Sequence, residues 1–476
     1  MERVTTGIQG LDDILNGGLI PSRAYMVRGG PGSGKTTLGM HFLSAEAKSS
    51  ACSLYIGFGS SIAFLQTDAS RIGIDLKGIE FLDLSPKIEI FSDAKSYNIF
   101  PPAEIEQAPI SQSIVEAIEK LRPKRVFIDS MTQIRTISPD PTQFRKLVGS
   151  LFAYLREKEI TLLLSSEASD VLPDDDLQFA CDAIMHFQNS FEVGRTVTVN
   201  KFLGSDFRSG PHSMRLTDQG MKIFPRLVPS LTRLEFRRET LSSGIAELDT
   251  LLHGGLQRGT IVLLSGPSGA GKTTLGMQFM AALSRRGENS LVCLFDEAKE
   301  ALLQRCKALH IPAADMVERG TLSILELEPL LHSADEFASI LREKVERKGV
   351  KTVMIDTLEG YRIALRGKHF EDSIRALWRY FSNMGVTLLI TSEVENIAGE
   401  LHATKHGISY LADDIIFLRY FEYNAEIRRA IGVLKKRLTD FQKSLREIHF
   451  SAEGIHVGPP LSDISGILTG LPRREH

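Results

Sequence analysis

Short apolar runs alternate with helix-length amphipathic stretches along this chain, the pattern that βαβ units produce. Residues 24–27 and 261–264 read as strands. Each is followed by a glycine-rich turn and then by a helix opening, Thr36-Thr37-Leu38-Gly39-Met40 and Thr273-Thr274-Leu275-Gly276-Met277. Val126-Phe127-Ile128-Asp129 and Val353-Met354-Ile355-Asp356 are apolar strands that end in an aspartate. Residues 161–164 and 387–390 are a further buried strand, followed by Ser165-Ser166-Glu167 and Thr391-Ser392-Glu393. Unbroken apolar runs of this kind fit strands of a parallel sheet covered by helices on both faces. Residues 197–224 and 431–457 read as an antiparallel appendage to each half.

The pattern occurs twice. Gly7-Ile8, Leu11-Asp12 and Gly17-Gly18-Leu19 return as Gly244-Ile245, Leu248-Asp249 and Gly254-Gly255-Leu256, and every pair keeps the 237-residue offset that separates Lys35 from Lys272. A conserved offset of this length marks a duplicated domain rather than a short-period solenoid. The expected fold is therefore α/β, with two tandem domains built on mostly parallel central sheets. The basic, proline-punctuated stretch 225–238 suits a boundary near Arg233, giving domains 1–232 and 233–476.

Composition narrows the function classes. A chain of 476 residues exceeds one ordinary core. Its net charge of −3 supplies no overall basic field for nucleic acid or acidic lipid. Cys52, Cys181, Cys293 and Cys306 show no zinc-ligand spacing, and reduced thiols are expected. No apolar stretch is long enough to span a bilayer, and the first residues carry no leader pattern, so the expected compartment is cytoplasmic. Asp174-Asp175-Asp176 reads as a solvated acidic loop, and Trp378, at helical spacing, as packing.

The chemistry sits in the glycine-rich turns. Gly29-Gly30-Pro31-Gly32-Ser33-Gly34-Lys35-Thr36 and Gly266-Pro267-Ser268-Gly269-Ala270-Gly271-Lys272-Thr273 are complete P-loops, continued by Thr37 and Thr274. Glycines let backbone N–H groups approach phosphate oxygens at the start of a helix whose dipole favours anions. Lys35 and Lys272 would reach the β/γ-phosphates of ATP, the Thr36 and Thr273 hydroxyls would ligate Mg²⁺, and Asp129 and Asp356 suit the second-shell metal role. The halves then diverge. Asp296-Glu297 follow an apolar strand in the second half, and Gly59-Ser60 stand at the same offset in the first. A carboxylate there can orient and deprotonate an attacking water or hydroxyl, and glycine and serine cannot.

Together these features resemble the KaiC family of the RecA-like ATPase superfamily, essentially end to end. The family's opening motif corresponds to residues 7–19 and 244–256, and its paired-glutamate motif to Asp296-Glu297 alone. The resemblance implies two RecA-like P-loop lobes, ATP at subunit interfaces, a homohexamer with double rings, and signalling through protein partners. It also implies a K-x-R-G motif that reaches a neighbour's γ-phosphate. Lys435-Lys436-Arg437 fits it in the second half, with Leu438 in place of glycine; Lys201-Phe202-Leu203-Gly204 keeps the lysine but has Leu203 for arginine. Leucine cannot donate charge-assisted bonds to developing phosphoryl charge. The first lobe is thus expected to hold nucleotide without normal hydrolysis, and the second to carry ATPase and autokinase chemistry on Asp296, Glu297, Lys272, Lys435 and Arg437. In family terms the acceptor candidates are Ser409, Tyr410 (where a phosphothreonine is usual) and Thr404. Two other readings are a RecA- or RadA-like DNA-dependent motor, disfavoured by the charge balance, and a nucleotide-gated scaffold with negligible catalysis.

Overall fold

The apolar runs form the centres of two nine-stranded sheets. The computed structural model describes residues 2–45, 52–59, 61–85, 103–137, 140–169, 173–191, 193–229, 233–328, 331–366, 370–394, 408–468 and 473–474. Its contacts divide the chain into two units, Met1–Arg226 and Leu227–His476.

In the first unit the strands are β1 (Ala24–Gly29), β2 (Ser53–Gly57), β3 (Ile79–Asp83), β4 (Arg125–Asp129), β5 (Thr161–Glu167), β6 (Ala183–Ser190), β7 (Gly194–Phe202), β8 (His212–Thr217) and β9 (Gly220–Phe224). In the second they are β10 (Ile261–Gly266), β11 (Asn289–Leu294), β12 (Leu322–Glu326), β13 (Val350–Asp356), β14 (Thr387–Glu393), β15 (Asp414–Tyr423), β16 (Glu426–Lys436), β17 (Arg446–Ser451) and β18 (Gly454–Pro460). The two sheets have the same order, β3-β2-β4-β5-β1-β6-β7-β8-β9 and β12-β11-β13-β14-β10-β15-β16-β17-β18. The first six strands of each are parallel and the last four run antiparallel to one another. The segments expected as an antiparallel appendage to each half extend its main sheet. Parallel β6 and β15 each turn back through a hairpin, and the backbone pairing simply continues.

Helices cover both faces, which is why the central strands read as unbroken apolar runs. Helix α1 (Lys35–Ser44) packs in a cluster containing Tyr25, Val27, Phe42, Tyr55 and Phe127, and α2 (Pro141–Glu157) in one on the opposite face containing Met26, Ile56, Ile128 and Leu164. Asp140 caps α2 by accepting the Thr142 N–H, Pro141 occupies the first turn, and Phe144, Val148, Phe152 and Leu155 form its buried stripe. Each such side chain contributes about 1.5–3 kcal/mol on burial. The second unit repeats the scheme with α3 (Lys272–Arg285), α4 (Lys299–Ala308) and α5 (Phe370–Asn383). Trp378 on α5 is buried in the core, as its spacing suggests.

The acidic run departs from expectation. Asp174 is 3% exposed, and its carboxylate accepts from Arg28 Nε at 3.1 Å and from Ser166 and Gln178. Asp176 is bidentate to Arg135 at 2.7 and 3.0 Å. Two of the three aspartates are thus buried ion-pair partners of distant arginines, not a solvated loop. All four cysteines are free, and no helix among the described residues is long and apolar enough to cross a membrane.

Candidate nucleotide sites

Each P-loop leaves the carboxyl end of a central strand, β1 or β10, where open α/β sheets bind ligands. The loop ends in Gly34 or Gly271, at φ +105° in both. An L side chain is strained in that left-handed conformation, so glycine lets the chain turn directly into the helix. Lys35 Nζ donates to the Gly29 and Gly30 carbonyls at 2.8 and 2.9 Å, and Lys272 Nζ to Gly266 and Pro267 at 2.8 Å each. Burial lowers both ammonium pKa values; Asp129 and Glu167 oppose this in the first unit, and Glu393, Asp356 and Glu359 in the second. The result is a partly desolvated cation fixed inside a loop of backbone N–H groups, an environment fitted to phosphate.

Thr36 and Asp129 are neighbours, Thr36 Oγ1 donating to Asp129 Oδ2 at 2.7 Å. Asp129 also accepts from Ser165 at 2.5 Å, and Asp356 from Thr391 at 2.5 Å. Among the described residues no cluster of three or more His, Cys, Asp or Glu could hold a metal by itself. A hydroxyl beside one carboxylate, completed by phosphate oxygens and water, is what Mg²⁺ uses in nucleotide sites. Thr36 with Asp129, and Thr273 with Asp356, therefore fit that ion. Bound there, it would supply positive charge that neutralises the phosphates.

The second unit gathers more. Ser268, Gly269, Gly271, Lys272, Thr273 and Thr274 line a cavity of about 240 Å³ together with Asp296, Glu297, Arg305, Asp356, Thr357 and Glu393. Asp296 Oδ2 accepts from Thr357 Oγ1 at 3.0 Å, and Glu297 Oε2 from Arg305 on α4 at 2.7 Å. In the first unit Gly59 follows β2 at the matching position, and Ser60 lies outside the described residues.

Lys435 and Arg437 are not brought to this cavity. Lys435 Nζ donates to Ala412 O at 2.6 Å, Arg437 donates to Tyr410 O at 2.8 Å and pairs with Asp413 at 3.5 Å, and Asp413 N–H donates to Ile261 O. That is the amino end of β10, whereas the P-loop follows its carboxyl end. Five rises of about 3.3 Å across the strand's six residues put the two ends about 17 Å apart. Lys201 occupies the same place in the first unit, bonded to Gln178 O and Phe179 O beside the start of β1. Of the acceptor candidates, Thr404 lies outside the described residues, and Ser409 is described only as backbone of the 3₁₀ turn Ile408–Leu411. Tyr410 is half exposed, and its hydroxyl accepts from Arg375 at 2.7 Å.

Two repeats with one sheet order, a P-loop at the same strand end in each and a strand-end aspartate beside it narrow the fold to tandem RecA-like ATPase units. A family described as "ATPase: KaiC" matches residues 4–228 and 241–462. The chain belongs to the KaiC ATPase family. Similar relatives include the circadian clock protein KaiC3 of Synechocystis sp., 26% identical over 99% of this chain and 95% of the relative. The circadian clock oscillator protein KaiC of Acaryochloris marina is 26% identical over 99% and 91%, and KaiC 1 of Synechocystis sp. is 25% identical over 100% and 92%. Family membership makes this an ATP-binding protein of ATPase type.

Several neighbours of these KaiC-family sites escape a motif search. Tyr55 donates to Asp129 Oδ2 at 3.2 Å. Glu359 accepts from Ser392 Oγ at 2.8 Å and from the Glu393 N–H at 3.2 Å, and its counterpart Thr132 accepts the Glu167 N–H at 2.9 Å. Arg195 approaches Gly32 O at 3.4 Å, and Arg429 stacks over Tyr420 and Phe450 beside the second P-loop. Position-by-position comparison of the repeats is the signal that could have raised Tyr55 and Glu359, since Val292 and Thr132 stand opposite them.

Proposed function

We propose that this chain is a Mg-ATP-dependent ATPase and autokinase whose chemistry belongs to the second unit, while the first holds ATP for assembly. One observation carries the reading: Lys272 shares a cavity with Asp296 and Glu297, whereas the first unit has Gly59 where such a carboxylate would stand. Glu297, with Asp296 beside it, acts as the general base toward water or an acceptor hydroxyl, and Lys272 and Thr273 hold the phosphates and their cation. Lys435 and Arg437 complete a site on another copy of the chain. Their position at the far end of β10 supports that reading, because within one unit they cannot reach the nucleotide held by the P-loop. The assembly proposed is a homohexamer with ATP between subunits. Ser409 is the proposed acceptor, with Tyr410 and Thr404 as secondary candidates. The output runs through protein partners in the cytoplasm, in a timing or signalling role.

Native mass and phosphosite analysis after incubation with Mg-ATP, on wild type and Glu297→Gln, tests the reading. The expected result is a six-copy assembly in both, with label on Ser409 only in the wild type. Equal turnover and equal label in the two proteins would favour the scaffold reading. Label that persists unchanged in Ser409→Ala would remove that acceptor.

A further inference from the structure

The units differ at one buried position beside the strand-end aspartate. Tyr55 on β2 is 2% exposed, and its hydroxyl donates to Asp129 Oδ2 at 3.2 Å. Thr36 donates to the same oxygen at 2.7 Å, and Ser165 to Oδ1 at 2.5 Å. The ring extends along the strand past Gly57, which pairs with Asp129 in the sheet register. A Cβ at position 57 would stand 2.7 Å from Tyr55 Cε1, so glycine is what makes room for the ring. In the second unit the matching positions are Val292 and Leu294, which supply neither a hydroxyl nor that space. The exchange is therefore of a matched pair, Tyr-and-Gly against Val-and-Leu.

We propose that Tyr55 is a positioning residue that holds the Asp129 carboxylate when Thr36 turns its hydroxyl onto the magnesium of bound Mg-ATP, making the first unit a retention site for nucleotide. Without Tyr55, turning Thr36 away would leave Oδ2, in a partly buried corner, with neither of the two donors it has here, a loss that costs affinity. The second unit has no such hydroxyl at position 292, which suits a site that must release product. This inference rests on the reading that the first unit binds Mg-ATP.

The test uses the full chain carrying Lys272→Ala, so that the first unit alone reports, with a fluorescent ATP analogue as probe. Magnesium is titrated, and retention of the analogue is followed with and without Tyr55→Phe. Loss of the hydroxyl is expected to raise the half-saturating magnesium concentration about tenfold, and to move magnesium-free binding of the analogue far less. A midpoint equal to that of the parent would overturn the role of Tyr55 while leaving the nucleotide site intact. A parent that retains no analogue, or retains it equally with Lys35→Ala added, would overturn the first-unit site and this inference with it. Installing the pair in the other unit, Val292→Tyr with Leu294→Gly in a Lys35→Ala background, is expected to lower that unit's midpoint; no change there would also count against the proposal.

Discussion

Asp129 and Asp356 end equivalent strands, and each accepts a hydroxyl from the next strand, Ser165 or Thr391. Beyond that shared core their surroundings part. Around Asp129 the neighbours are hydroxyls, from Thr36, Ser165 and Tyr55. Glu167 and Glu393 stand at equivalent places near the two P-loop lysines, but around the second P-loop further charges gather: Asp296, Glu297 and Arg305 share its cavity, and Glu359 lies close enough to act on Lys272. The duplicated P-loop thus recurs in both units, and on the proposed reading the side chains one layer out decide whether a held phosphate meets a base or is retained. Binding needs a preorganised anion hole; turnover needs, in addition, a base in reach.

The sharpest way to break this contrast is to remove the two lysines separately. Lys272→Ala is expected to lower ATP turnover at least a hundredfold, and Lys35→Ala to leave the per-site rate within a few-fold once assembly is restored by higher protein concentration. Steady-state phosphate release on both proteins decides it; the opposite ranking would reverse the assignment of the units. Complementation sharpens the geometric half. Arg437→Ala is expected to lose on the order of a hundredfold or more in turnover. Mixing it with Lys272→Ala should recover a measurable fraction, since sites pairing an intact loop with an intact arginine form only between copies. No recovery in mixed assemblies would argue that Arg437 acts elsewhere. A smaller effect is expected from rebuilding the base: Gly59→Asp with Ser60→Glu should raise first-unit turnover by less than tenfold, because Leu203 still stands where an arginine is needed. A full gain from the carboxylates alone would show that the arginine is dispensable.

The smallest effect concerns stability. Asp414 is 1% exposed at the start of β15, in register with Lys436, and burial pushes its pKa up to about 6; Lys436 opposes the shift, Asp413 adds to it, and the Arg437 N–H and Lys435 oppose it. A carboxyl raised above its unfolded value favours the fold while protonated, and that contribution is lost as pH rises through about 6. The corresponding first-unit pair is Ala183 with Phe202, which cannot titrate. The second unit should therefore lose on the order of 2 kcal/mol between pH 4 and 7, and Asp414→Asn should flatten that slope. Melting curves across this range, with equal slopes in both proteins, would contradict the assignment.

Much of this was legible because phosphate binding is local in sequence: eight consecutive residues build the loop, and the preceding apolar run announces its strand. The strand-end aspartates were readable for the same reason. Asp174 and Asp176 were not, because their burial depends on Arg28 and Arg135, which only the folded sheet and helices bring near. Tyr55 was hidden by its own composition: a tyrosine in an apolar strand reads as core, and its hydroxyl matters only because β2 and β4 are hydrogen-bonded neighbours. The antiparallel strands were visible as strands, but their continuity with the parallel sheet depends on hairpin register.

The length of β10 has a kinetic corollary. One end of that strand carries a nucleotide loop and the other carries Lys435 and Arg437; if those cations serve another copy's nucleotide, as proposed, a solitary chain owns two incomplete halves of different reaction centres. Specific activity should then climb with protein concentration and level off only when every chain has found its neighbours. Dilution would act as an inhibitor without any molecule being added.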